Sequence, residues 1–288
     1  MEVNGGAIRV DKSWWYLIDY AWHRGKWVCT DVTGDLDLLA TGPNGERISL
    51  QRLRCHDAAE MLGIWLAPDG NTSKCISVLQ RKAIDWGLKV RLGNPSPVEA
   101  WTAIHTNISA RLKYPLPALT LSEKECKSIM YPALKAALPK SGIAANMEIA
   151  MRDGPSGSLG AGVLSLFHHM GTARTACLVE QMAHNTPLGK IIRVNIEDLA
   201  LDSGLYGLLW DMNTEDIQSY VSTHSWIFAA ILYNFNHDIK LNVSHDTLGP
   251  QRIHDKSLMS LGLQYTSKPS VLRSINRVRM RFKVIHLI

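Results

Sequence analysis

Ile76-Ser77-Val78-Leu79-Gln80-Arg81-Lys82-Ala83-Ile84-Asp85-Trp86-Gly87-Leu88-Lys89-Val90-Arg91-Leu92-Gly93 is the stretch that decides the fold class. Ile76, Leu79, Ala83, Trp86 and Val90 recur every three or four residues, the spacing that gathers apolar side chains on one face of an α-helix. Gly93 supplies the stop. Lys74, Arg81, Lys82 and Lys89 fall largely off that stripe. The helix therefore has one face to bury and a basic face to leave outside. Just downstream, Ser96-Pro97-Val98-Glu99 is a capping box with proline at the first helical position, and Val98, Trp101, Ile104, Ile108 and Leu112 form the apolar face of the helix it opens. Ser122-Glu123-Lys124-Glu125 repeats the box before a helix through Ile129 and Leu134. Pro132 is expected to kink or split that helix, because it removes a backbone donor. More helix is expected over 164–183, 188–201, 214–236 and 253–261. A fully buried Leu or Ile contributes roughly 1.5–3 kcal/mol and an exposed ion pair about 0–1 kcal/mol. The stripes, not the charges, thus pack these helices into a bundle, and the charges stay free for binding.

Upstream the pattern shortens to strands. Ser13 to Tyr20 is aromatic and aliphatic enough for a strand, His23-Arg24-Gly25-Lys26 reads as a turn, and Trp27-Val28-Cys29-Thr30 returns as the second arm of a hairpin. Pro43-Asn44-Gly45 is a further turn signal before Arg47-Ile48-Ser49-Leu50, and Met61 to Leu66 is a third short strand closed by Pro68-Asp69-Gly70. The expected fold is α+β and mostly α: residues 1–70 with short antiparallel strands, a helical domain over 71–150, and a helical extension over 151–288.

Composition places the 288-residue chain in the ordinary globular range, 46% hydrophobic and 20% charged. Glu2, Arg9, Asp11 and Lys12 exclude a secretory signal at the start, and no apolar run approaches the roughly 18 residues of a membrane span. The five cysteines, Cys29, Cys55, Cys75, Cys126 and Cys177, are odd in number and contain no C-x-x-C pair. That suits free thiols in a reducing compartment, so an intracellular location is expected, nuclear or cytoplasmic alike. The eleven histidines include His168, His169 and His184 on one expected helix, but none stands at an accepted zinc spacing from a second ligand. No metal site is expected from spacing.

The net charge of +5 is unevenly spread. Lys74, Arg81, Lys82, Lys89, Arg91, Arg111 and Lys113 form one cluster, and Arg273, Arg277, Arg279, Arg281 and Lys283 form another. Such clusters are the electrostatic footprint of a phosphate backbone, or, on charge alone, solvated helix faces. The glycine-rich run 154–162 precedes a helix, yet it lacks the lysine of a phosphate loop and the G-x-G-x-x-G order. A linker or helix cap accounts for it better.

Two further stretches carry a resemblance. Gly5-Gly6-Ala7-Ile8 with Lys12 and Trp15-Tyr16-Leu17-Ile18, followed by Leu62-Gly63-Ile64-Trp65-Leu66-Ala67-Pro68-Asp69-Gly70-Asn71, resemble the segments that close the palm and lead into the thumb of retrotransposon-type, non-LTR-like reverse transcriptases. Glu99-Ala100-Trp101, Tyr114 to Leu121, Glu123 to Cys126, Ile129-Met130 with Pro132, and Asn276 to Met280 extend the likeness in order along the chain. Val10 departs from the family's usual proline, and 154–162 departs from its compact glycine pattern.

The resemblance implies a fragment: a residual palm edge, a template–primer-binding thumb and a helical extension of an RNA-directed DNA polymerase. The family's two-metal chemistry needs carboxylates holding Mg²⁺ ions about 4 Å apart, and in that family these lie upstream of the segment that opens this chain. Asp19, beside Tyr20, offers one carboxylate where a pair is needed and reads as an edge residue facing water. The chain alone is therefore expected to bind no Mg²⁺ and to be inactive, with an upstream polymerase portion of the same element as a partner. Lys12 takes the position of the palm lysine that can protonate the leaving pyrophosphate, or is an exposed lysine at a strand entry. Met61, Leu62 and Gly63 take the position of a primer-grip-like hairpin, or are a bulge or simple strand packing. Lys74, Arg81, Lys82 and Lys89 line the thumb helix along an RNA/DNA template–primer duplex. The alternatives are a helical protein-interaction module with no nucleic-acid role and a non-functional product of a decayed element.

Overall fold

A computed structural model describes residues 12–23, 26–34, 36–42, 45–144, 146–205, 210, 214–221, 225–242, 256–284 and 286–287. The fold is α+β and mostly α, about 58% helical with short strand pairs. It divides into two compact units, Met1–Cys75 and Ile76–Ile288, and the second takes in nearly all of both expected helical domains.

The first unit is built of short strand pairs. β2 (Ile18–His23) and β3 (Lys26–Asp31), β4 (Leu39–Thr41) and β5 (Arg47–Ser49), and β7 (Ala59–Met61) and β8 (Ile64–Leu66) pair antiparallel. β1 (Trp14–Tyr16) instead pairs parallel with β6 (Gln51–Leu53). The single strand expected over Ser13 to Tyr20 is thus broken at Leu17. β1 is held elsewhere by Trp15 Nε1 donating to the Leu50 carbonyl at 3.1 Å and by the Tyr16 hydroxyl donating to the Asp57 carbonyl at 3.0 Å. The strand expected over Met61 to Leu66 is likewise a hairpin, turning at Leu62-Gly63. Of the expected turns, Arg24, Gly25, Pro43 and Asn44 lie outside the described residues. Among the described residues of this unit the buried apolar side chains are Ala40, Cys55, Ala59 and Cys75, too few for a hydrophobic core.

The second unit is helical. α1 (Ser73–Leu92) starts one turn before the apolar stripe, where Asn71 Oδ1 accepts from the Ser73 N–H at 3.0 Å, and it buries Cys75, Leu79, Ala83 and Trp86. Both capping boxes close: the Ser96 N–H donates to Glu99 Oε2 at 2.8 Å and the Ser122 N–H to Glu125 Oε2 at 2.7 Å. The Ser96 bonds hold the Glu99 carboxyl below its ordinary range. That stabilisation is present at neutral pH and lost as pH falls through the lowered value. α2 (Pro97–Ala103) and α3 (Ser109–Lys113) are joined by a π-helical turn, Ile104–Ile108. Ala100, Ile104, Ile108 and Leu112 are buried. A strict four-residue repeat drifts about 40° per step on an α-helix, and the wider π turn restores the face. Val98, expected on that face, is exposed instead; Ala100 takes the inward place.

α4 (Glu123–Lys140) runs unbroken through Pro132 and Pro139, so of the expected kink or split at Pro132 the split does not occur. An internal proline costs about 3 kcal/mol, but the buried row Ile129, Ala133, Ala137 offsets it. Gly87 of α1 lies against the Pro132 carbonyl, where a Cβ would stand 3.0 Å away. Pro132→Ala should restore a helix bond and raise the unit's stability by about 1–2 kcal/mol once the freer unfolded chain is counted, measured by denaturant unfolding.

α5 (Ile149–Asp153) precedes the glycine run, which folds back on it: Ala161 N–H donates to the Met151 carbonyl at 2.7 Å and Gly162 N–H to the Gly154 carbonyl at 2.8 Å. A helix, not a strand, leads into this loop. α6 (Leu166–Ala183) and α7 (Pro187–Ser203) follow. The helix expected over 214–236 is two, α8 (Thr214–Gln218) and α9 (Trp226–Asn236), because Ser225 opens a new helix by accepting from the Phe228 N–H. Of the helix expected over 253–261, residues 253–255 lie outside the described residues. Lys256–Ser257 pairs antiparallel with His286–Leu287, and α10 (Leu258–Tyr265) begins where Ser257 caps it. α11 (Pro269–Phe282) completes the unit. Leu178, Ile196, Phe228, Ile231, Met259 and Leu272 belong to one apolar cluster shared by α6, α7, α9, α10 and α11.

Candidate nucleic-acid interface

α1 carries the basic face. At 3.6 residues per turn, Lys74, Arg81, Lys82 and Lys89 occupy an arc of roughly 100°, beside the arc of the buried side chains Cys75, Leu79, Ala83 and Trp86, whose centre lies about 100° round the helix. All four basic residues are exposed. Lys74 and Arg81 form one row and Lys82 and Lys89 a second, each spanning about 10 Å along the axis. Among the described residues, Arg81, Lys82 and Lys89 make no ion pair. Asp85 stands within the same arc and makes none either, which leaves the face strongly positive but not uniformly so. Arg91 sits in the last turn, where a cation complements the helix dipole.

Lys74 Nζ lies 5.0 Å above the Trp65 ring. Trp65 belongs to β8, so the structure brings this lysine to the hairpin whose tip is Met61-Leu62-Gly63. That tip is a two-residue turn, not a bulge: Leu62 has φ 51° and Gly63 φ 83°. Left-handed conformation at both central positions matches the right-handed twist of the arms. Glycine accepts it freely, whereas for a leucine it costs about 1–2 kcal/mol. Leu62 is nevertheless 89% exposed, so no burial in this unit repays the strain. Strain held at an exposed apolar tip is a pattern found where a segment meets a ligand. Leu62→Gly should raise stability by about 0.5–1 kcal/mol and, if the tip meets nucleic acid, weaken duplex binding; parallel melting and binding curves check this.

Lys12 is exposed, two residues before β1. Asp19 is exposed too, and its Oδ1 accepts from the Tyr20 N–H at 2.7 Å. Arg111 and Lys113 are exposed on α3. The C-terminal basic cluster is different in kind. Arg273, Arg277, Arg281 and Lys283 are exposed, but Arg279 is buried, at 3% exposure. Its NH2 donates to the Leu201 carbonyl at 2.6 Å and the Asp202 carbonyl at 2.8 Å, and its Nε to Asn276 Oδ1 at 3.0 Å. Gly204, left-handed at φ 62°, ends α7 and leaves room for it, since a Cβ there would stand 2.6 Å from the guanidinium carbon. Arg279 is therefore the C-terminal cap of α7 and not a phosphate contact.

Sequence reasoning missed a second constellation, Asp31, Cys55 and His56, which the first unit's fold assembles from two segments. The readable signal is a C-x-D on one strand and a C-H pair 24 residues on, neither of them a standard zinc spacing. Comparison of the chain with protein-family models, curated proteins and solved structures finds no match. Among the described residues no helix is long and apolar enough to cross a membrane.

Proposed function

We propose that this chain is the thumb and post-thumb part of a reverse-transcriptase-type protein and that it holds an RNA/DNA template–primer duplex by the phosphate backbone along α1. The supporting observation is the exposed double row Lys74, Arg81, Lys82 and Lys89 beside the buried stripe of α1. Flexible lysines and an arginine at this pitch neutralise phosphates and position a duplex without reading its bases. Met61, Leu62 and Gly63 would meet the primer end, and Lys12 would take the palm lysine's place. Mg²⁺ and the carboxylates that bind it belong, on this reading, to an upstream portion of the parent enzyme, so the chain by itself binds and does not extend a primer. Lys82→Ala should weaken binding equally for duplexes of unrelated sequence; competition between two such duplexes, read by fluorescence anisotropy, tests it. A sequence-selective loss would contradict backbone binding.

One observation favours a second reading. Leu188, Ile191 and Val194 form an exposed apolar row on α7, which suits a protein-interaction module. A chain that binds no duplex at low salt would support it.

A further inference from the structure

We propose that the first unit holds a zinc-type divalent cation through Asp31, Cys55 and His56, with the Cys29 thiol as a fourth donor. The carboxylate oxygen, thiol sulfur and imidazole nitrogen of the three residues lie within 4.8 Å of one another. Two donors on one tetrahedral zinc are separated by roughly 3–4 Å, given bonds of about 2.0–2.3 Å, so modest side-chain rotation closes the set.

The local structure explains how these donors meet. Cys29 and Asp31 are two apart on β3, and the period of a strand turns them to one side. Cys55 and His56 sit in the tight turn after β6, closed by the Asp57 N–H donating to the Arg54 carbonyl at 2.9 Å. The Cys55 N–H donates to Asp31 Oδ1 at 2.7 Å, and the Cys55 thiol points at the Cys29 carbonyl, 3.6 Å away. His56 Nε2 has the Asp57 carboxylate 3.9 Å away.

Three considerations give the ligand class. A thiolate, an imidazole and a carboxylate form a borderline-soft donor set that suits zinc and disfavours calcium or magnesium. Asp31 and Asp69 both place negative potential on the two thiols, while nearby Arg52 directs its guanidinium to the carbonyls of Val32 and Gly34. Finally, this unit buries hardly any apolar side chain beyond Ala40, Cys55, Ala59 and Cys75 among its described residues, and units with so small a core usually need a metal or disulfide staple. The proposal does not depend on the nucleic-acid reading of α1.

The test uses the full chain, reduced and stripped with chelator, titrated with Co²⁺ and then Zn²⁺. One equivalent of Co²⁺ should give a thiolate-to-cobalt charge-transfer band and the strong visible absorption of tetrahedral coordination, both removed by Zn²⁺. Cys55→Ser should weaken the charge-transfer band, and Cys55→Ser combined with Cys29→Ser should abolish it. His56→Ala, at an exposed position where packing is not disturbed, should weaken Zn²⁺ binding by more than the roughly 10–100-fold lost with an outer-shell partner. Cys177→Ser, on α6, should leave uptake unchanged, and unaltered helical circular dichroism establishes that each variant is folded. Absence of the cobalt band in the parent chain, or uptake that survives both Cys55→Ser and His56→Ala, would overturn the proposal.

Discussion

Replacing Arg279 with methionine is expected to destabilise the second unit by about 3 kcal/mol or more. Methionine keeps most of the side-chain volume but none of the donors, so the carbonyls of Leu201 and Asp202 and Oδ1 of Asn276 lose their partner together. A buried acceptor left unsatisfied costs about 1–3 kcal/mol. The guanidinium also caps α7 with a positive charge at its C-terminus, worth up to about 1–2 kcal/mol when partly buried. Burial lowers the Arg279 pKa while the Asp202 carboxylate raises it, and desolvation outweighs the arginine at Asp202, whose pKa is raised. An arginine keeps its charge at neutral pH in proteins, so the loss should be full there. At about 2–4 °C per kcal/mol for a unit of this size, the midpoint of thermal unfolding should fall by roughly 6–12 °C. A shift near zero would mean that water replaces the arginine.

Reversing two charges on α1 is expected to have the largest effect on binding. Arg81→Glu with Lys82→Glu changes the facing charge by four units. At about 1 kcal/mol per unit charge at 4 Å in water, this amounts to about 4 kcal/mol, or roughly a thousandfold in affinity at low salt. Both positions are exposed, so stability should move by no more than about 0.5 kcal/mol, and filter binding beside circular dichroism separates the two effects. Affinity unchanged by the double reversal would remove α1 from the interface.

The helices were legible wherever a local signal is sufficient. The stripe Leu79, Ala83, Trp86 describes α1 almost to its ends, and the serine caps at 96 and 122 describe the starts of α2 and α4, because capping and periodicity are chemistry within a few residues. Tertiary structure overrode that signal in particular places. Pro132 stays inside α4 because buried neighbours outweigh one lost backbone bond, and Val98 faces outward because it stands six residues before Ile104, about 120° round the helix. α11 was obscure for a different reason: two of its buried positions are Asn276 and Arg279, so a polar network stands where an apolar stripe would be sought. The parallel pairing of β1 with β6 and the meeting of Asp31 with Cys55 and His56 join residues more than 20 positions apart, and no short-range pattern encodes them. On α1, the basic residues of the candidate interface were readable because exposure follows directly from being off the stripe. At Arg279 the same inference failed, since a charge can be buried when carbonyls receive it.

The most direct measurement of the central claim is the salt dependence of duplex binding by the intact chain. If Lys74, Arg81, Lys82 and Lys89 each neutralise one phosphate, the logarithm of the association constant should fall against the logarithm of salt concentration with a slope of about −3 to −4, since roughly 0.9 counterion is released per contact on a B-form duplex. Lys82→Ala should make that slope shallower by about one unit. Absence of binding at low salt, or a slope near zero that Lys82→Ala leaves unchanged, would contradict a backbone-binding role for α1.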